Sequence, residues 1–154
     1  MIHLSFFLPE PDSPWRETWD RPKHGNPGSI QEIDLRYKYF AVNVEMTIND
    51  VEVISRRRFV TLADLALSLS HTVGRVSSGE DAAFGFTESD EVIHLRRDGS
   101  IIHISSSKRP WQVSADPEEL ISAFVTFLRE AHSCLITEIP ELASNPTVQR
   151  LSPR

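Results

Sequence analysis

Between Phe40 and Val53 the chain alternates apolar and polar residues with a period of two, and few folds satisfy that pattern. Phe40, Val42, Val44, Met46 and Ile48 fall on one side, with Asn43, Glu45 and Thr47 among the residues on the other. Successive side chains of a strand point to opposite faces, so the run predicts a half-buried strand with one apolar face. Asn49-Asp50 suits a tight turn, after which Val51 and Val53 resume the alternation. A two-residue turn there places Ile48 opposite Val51 and Met46 opposite Val53. A hairpin with one greasy face needs a cover, and the rest of the chain provides candidates.

Thr61-Leu62-Ala63-Asp64 resembles a capping box with Asp in place of Glu, and Leu62, Leu65, Ala66, Leu69 and Val73 follow at helical spacing. Ala82, Phe84 and Phe86 then alternate again, predicting another strand. Val92–Arg97 and Ile101–Ser105 flank Asp98-Gly99, a strong hairpin signal. With Asp98-Gly99 as the two loop residues, Ile93 faces Ile104, Leu95 faces Ile102 and His94 faces His103. Asp116, Pro117 and Glu119 have the order of N-cap, first helical residue and capping-box acid. Leu120, Phe124, Phe127, Leu128, Ala131 and Leu135 form the stripe of that second helix, and Pro140 closes it. The expectation is an α+β fold. It has two layers: an antiparallel sheet of about five strands, made of a hairpin plus a three-stranded meander, with two main helices packed on one face.

The flanks differ. Residues 1–35 carry Pro9, Pro11, Pro14, Pro22 and Pro27 together with Gly25, Asn26 and Gly28, and read as a Pro/Trp-rich arm or lid. Within that arm, residues 2–8 allow a short strand, and Ser13-Pro14 marks a helix start that places Trp15 and Trp19 on one face. Residues 36–140 form the single core domain, and residues 141–154 read as a flexible tail. The 154-residue length suits one domain, because two half-length cores would each be marginal.

Charge and cysteine content restrict function. Sixteen Lys and Arg against 22 Asp and Glu leave −6 at pH 7, which argues against nucleic-acid binding driven by clustered cations. Cys134 is the only cysteine, so no internal disulfide can form and a cytoplasmic location is expected. The apolar start lacks a basic leader and stops at Pro9, and no run approaches the roughly 18 apolar residues of a membrane span. No cofactor is expected.

Candidate chemistry is sparse. His94 and His103, if paired across the hairpin, could share a metal ion, although a stable zinc site wants three or four ligands. Two surface or partner-facing histidines are the ordinary reading of such a pair. Cys134 and His132 are two apart on a helix and point about 200° from each other, so they form no local dyad. No nucleophile elbow, Walker loop or zinc-protease motif occurs, and no catalytic residue is assigned. Partner-binding candidates are Trp15, Trp19, Arg56, Arg58, Arg109 and Trp111. Arg56 and Arg58 share a face of the Arg56-Arg57-Arg58 run, and Arg109 and Trp111 belong to Lys108-Arg109-Pro110-Trp111. Each has a structural alternative: a charged edge that blocks sheet aggregation for the arginines, core packing for the tryptophans.

The order of hairpin, helix, meander and helix resembles small bacterial immunity-type proteins, including the WapI-like immunity family. The likeness is carried by Val42-Asn43-Val44-Glu45-Met46, Thr61-Leu62-Ala63-Asp64-Leu65, Ile93 to Ile104 around Asp98-Gly99, and the Asp116 to Leu128 helix start, within residues 36–136. The resemblance implies a non-catalytic protein that neutralises a cognate toxin domain by covering its active site. A −6 charge would steer association with a basic toxin. A small-ligand or metal-binding domain, or a domain with an enzymatic pocket, is the alternative.

Overall fold

The structure is a computed structural model and describes residues 1–152. In chain order it contains β1 (Ile2–Phe7), α1 (Glu17–Asp20), α2 (Glu32–Tyr37), β2 (Ala41–Ile48), β3 (Val51–Ile54), β4 (Phe59–Thr61) and α3 (Leu62–Ser77). Then come β5 (Ala82–Phe86), β6 (Ser89–Asp98), β7 (Ile101–Ser106), β8 (Gln112–Ala115), α4 (Pro117–Glu138) and α5 (Pro146–Gln149). The class is α+β, but the strands form two antiparallel sheets of four, not one of about five. Three strands make the difference: β1 comes from the N-terminal arm, β4 continues the return strand, and β8 occupies the approach to α4.

The alternating run becomes β2, the centre of the first sheet. Along one edge β1 pairs from Ile2↔Ile48 to Phe7↔Asn43, and on the other edge β3 and β4 follow one another. Asn43 therefore has Phe7 on one side and Phe59 on the other. Asn49 and Asp50 have φ of 49° and 69°, the two positive values that a type I′ turn requires. Ile48 faces Val51 as expected, but the register shifts after Thr47, so Met46 faces Ile54 and not Val53. A bulge turns two consecutive residues inward, and Val53 and Ile54 are both buried.

The second sheet is a plain meander, β5-β6-β7-β8. Its central loop is Gly99-Ser100, because Asp98 pairs with Ile101. Gly99 alone in this loop has a positive φ, 60°, the pattern of a II′ turn, which wants glycine at the first central position. The sequence expectation had placed Asp98-Gly99 there, which would need Asp98 at positive φ as well. Leu95 accordingly pairs with Ile104 and Ile93 with Ser106. Each residue keeps its expected face, since the pairing slips by two, but every cross-strand partner changes.

The helices join the sheets into one core. α3 packs against α4 and β5, and α4 also lies against β1. Asp116 caps α4, accepting from Glu119 N at 3.1 Å. Asp64 does not complete a capping box at α3; its buried carboxylate accepts from Arg36 and Thr87 instead. By length and composition alone α4 is just apolar enough to cross a membrane, with a mean hydropathy of 1.2 over its best window. Its stripe from Leu120 to Leu135 is buried within the protein.

Both flanks belong to this core. The arm supplies β1 and also Trp19, whose ring meets Phe40 edge-on at 5.0 Å and whose Nε1 donates to Ala41 O at 2.8 Å. Phe40 is fully buried at φ 66°, a strained value for a bulky residue. Backbone hydrogen bonds from Phe40 N to Thr18 O and from Leu62 N to Phe40 O hold it there. The segment expected to be a flexible tail folds into a 3₁₀ turn (Pro140–Ser144) and α5, burying Leu142, Val148 and Leu151. Asn145 fastens it to the arm, donating to Pro27 O and Ile30 O at 3.0 Å each. Residues 153 and 154, the end of that tail, lie outside the described residues.

Candidate functional site

The six partner-binding candidates separate into three groups. Trp19 is 1% exposed and belongs to the core, so the arm does not present Trp15 and Trp19 on a common surface. Trp111 is half-buried against the core, and its buried indole N–H has no acceptor among the described residues. Both tryptophans follow their packing alternative.

Arg58 and Arg109 converge on a buried acid. Glu91, on β6, is 2% exposed; its Oε1 lies 2.8 Å from Arg58 Nη2, and its Oε2 lies 3.4 Å from Arg109 Nε. Ser106 Oγ donates to Oε2 at 2.6 Å, and Arg58 also stacks over the Phe86 ring at 4.4 Å. Burial pushes the Glu91 carboxyl up, but Ser106, Arg58 and Arg109 outweigh it and leave its pKa below the usual range. This cluster joins the loop before β4 to β6 and to the turn after β7. No sequence signal marks this cluster, because nothing local indicates that Glu91 points inward.

Trp15 and Arg56 remain at the surface and come together through two phenylalanines. Trp15 is 46% exposed and stacks on Phe59 with ring centroids 4.7 Å apart. Exposed Arg56 lies over Phe7, its guanidinium carbon 4.0 Å from the ring centroid. Phe7 and Phe59 flank Asn43 on the outer side of the first sheet, so the two stacks are neighbours. Beside them, Trp15, Thr18, Arg21, Lys38 and Tyr39 line a hollow of about 280 Å³. Ser13 starts this local structure: its Oγ accepts from Trp15 N at 3.2 Å, and Pro14 opens the 3₁₀ turn.

A concavity of about 620 Å³ lies on the outer face of the second sheet. Two rows of side chains cross it. Arg96, His103 and Ser114 are register partners on β6, β7 and β8, and so are His94, Ser105 and Gln112. The expected His94–His103 pair is therefore not formed, since the II′ loop puts Ser105 opposite His94 and Arg96 opposite His103. Both ring nitrogens of His103 are engaged, Nδ1 with Ser114 Oγ at 3.0 Å and Nε2 with Asp98 Oδ2 at 3.1 Å. Among the described residues no three His, Cys, Asp or Glu side chains cluster as a metal site would need.

Asp98, His103 and Ser114 form a carboxylate–imidazole–hydroxyl chain that sequence reading did not anticipate. Its distances fit a relay, but its setting does not support acyl transfer. Asp98 is 64% exposed at its side chain, so water is not excluded. Strand N–H groups lie in the plane of the sheet, paired along the ladders, and none is aimed at an oxyanion above the face.

No family model, curated protein or solved structure matches the chain.

Proposed function

We propose that the protein is a non-catalytic interaction module that grips a protein partner through the Trp15–Phe59 and Phe7–Arg56 stacks, as an immunity-type protein would grip a toxin domain. The observation that carries this reading is the half-exposed Trp15 ring, stacked on Phe59 at 4.7 Å while Trp19, four residues on, is buried. Binding hot spots are enriched in Trp, Tyr and Arg, and a ring already fixed by stacking loses little freedom on association. Arg56 and Tyr39 supply the accompanying residue types at its border. At this patch the small-ligand alternative has less support. The hollow beside Trp15, about 280 Å³, falls just under the roughly 300–1,000 Å³ usual for ligand pockets.

The test is capture by the tagged chain of proteins encoded beside it in its genome. One neighbour is expected to bind, and Trp15→Ala with Arg56→Glu should weaken that complex at least tenfold with the fold intact. Loss of about 1.4 kcal/mol corresponds to that factor. If no neighbour binds, or the double variant binds as tightly as the parent, the reading is wrong.

A further inference from the structure

We infer that the free edge of β1 is a docking site for an extended segment of a partner protein, which adds to the first sheet as a further strand beside α4. β1 ends its sheet and pairs only with β2. Bonded and non-bonded pairs alternate along an antiparallel ladder, and Asn49 N donates to Met1 O at 2.9 Å. That bond sets the phase. His3, Ser5 and Phe7 turn their backbone groups to β2, and Ile2, Leu4 and Phe6 turn theirs to the open side. Three N–H and three C=O groups therefore line the edge with no partner among the described residues.

Solvated edge groups are ordinary where a strand is short or guarded, and the other edges of both sheets are of that kind. β3 and β4 have four and three residues, with a bulge opposite Met46 and Thr47 and a turn carrying Arg56 and Arg57 between them. β5 is bulged at Gly85 and Phe86 and lies against α3. β8 has four residues, and the Asn49 side chain takes Ser114 O at 3.3 Å. β1 lacks such guards: its six residues run in unbroken register from Ile2 to Phe7 and include no Pro, Lys, Arg, Asp or Glu. α4 runs beside this edge without closing it. A groove of about 360 Å³ separates Ile2 and Leu4 from Ser122, Ala123 and Thr126 on the helix.

Backbone geometry, not charge, selects the occupant; the one acid in the groove, Glu119, is already 3.4 Å from the Met1 ammonium. The outward groups recur every second residue, about 6.6–6.8 Å apart, and another extended chain offers donors and acceptors at the same repeat. Directly opposed residues point to one face, so those opposite Ile2, Leu4 and Phe6 lie on the side where Phe6 meets Phe127 of α4. The small side chains of Ser122, Ala123 and Thr126 leave room there for apolar groups, while the intervening residues meet His3 and Ser5. The fitting segment thus alternates apolar and polar residues. A second copy of β1 fits poorly. Two β1 strands paired about 4.8 Å apart put both α4 helices on one side of the joined sheet, whereas packed helices need about 8–10 Å between axes. A lone segment brings no helix with it.

The experiment adds a short peptide of alternating valine and threonine, with a lysine at each end, to the full-length ¹⁵N-labelled chain and follows amide exchange. In the free chain the amides of Ile2, Leu4 and Phe6 should exchange at least tenfold faster than those of His3, Ser5 and Phe7, and the peptide should protect the first three. N-methylation of the valines removes the donors that face β1 and should weaken binding at least tenfold. N-methylation of the threonines, whose N–H groups face solvent, should not. Leu4→Pro removes one outward donor and spares the bonds to β2. Thr126→Arg fills the groove from α4 and leaves β1 whole, and each variant should lose most of the affinity. Absence of binding, protection confined to other strands, or equal affinity for the two methylated peptides would overturn the inference. So would a dimer in sedimentation with Ile2, Leu4 and Phe6 already protected, which would give the edge to a second copy. The Trp15→Ala, Arg56→Glu variant should bind this peptide like the parent, so the two sites fail separately.

Discussion

Glu91 shows how one buried residue can set a pH dependence. Its pKa lies below the usual glutamate value near 4.5, since Ser106, Arg58 and Arg109 together outweigh the effect of burial. A lowered folded-state pKa contributes stability that is complete above the unfolded value and disappears as pH falls through the folded one. Urea midpoints should therefore be flat above about pH 5.5 and decline in more acid solution, taking the unfolded pKa near 4.3. Glu91→Gln leaves two half-buried guanidinium groups without their acid and should cost about 1–3 kcal/mol at pH 7. The gap between variant and parent should narrow below pH 4; a constant gap would show that the charge is not what matters. Cys134 is the opposite case. Burial, assisted by Glu138, pushes its thiol up to about 11. A native thiol with that pKa should react with a disulfide reagent at pH 8 at least about tenfold more slowly than the unfolded chain, because the smaller thiolate fraction outweighs the stronger nucleophilicity of a more basic thiolate.

At the scale of elements, turn chemistry decides register. Asn49-Asp50 adopts two positive φ values, and Asp at the second is a compromise, since Gly carries no Cβ penalty there. Asp50→Gly should stabilise the protein by about 0.5–1 kcal/mol, read as a raised urea midpoint with unchanged slope. Asn49 has a second role that argues against changing it: its Nδ2 donates to Ser114 O at 3.3 Å, linking the first sheet to β8. The strands and long helices were legible because alternation and helical spacing persist over many residues, as in β2 and α4. The β6–β7 partners were not, because two neighbouring loop choices give the same faces. Only the φ values at Gly99 and Asp98 separate them, and burial is satisfied either way.

Across the whole molecule the two ends of the chain close on each other. Asn145 accepts from Thr147 N, caps α5 and donates to Pro27 O and Ile30 O, while Leu142, Val148 and Leu151 fill the adjoining core. Each of those apolar side chains contributes roughly 1.5–3 kcal/mol by burial, so the three together rival the about 5–15 kcal/mol that holds a typical domain. Truncation after Ile139 should thus unfold the protein or lower its melting temperature by more than 10 °C, using about 2–4 °C per kcal/mol for this size. A melting temperature within a few degrees of the parent would mean that the C-terminal segment is not part of the core. The same scale separates the charges: the pairs that hold the fold lie between elements, while Arg56, in the turn between β3 and β4, lies over Phe7 with no carboxylate partner among the described residues.

The sequence by itself determined the class of fold, the position of its long elements and which residues of each face inward, because periodicity reports burial directly. Tertiary structure decided the division into two sheets, the pairing of β1 with β2, the strand role of β8, and the folding of both flanks into the core. It also decided which arginines remain available: Arg58 and Arg109 share their positions in basic runs with Arg56, yet a buried Glu91 takes them and leaves Arg56 on Phe7. Pairings between distant residues leave no period in the sequence, so no spacing rule could have separated the three.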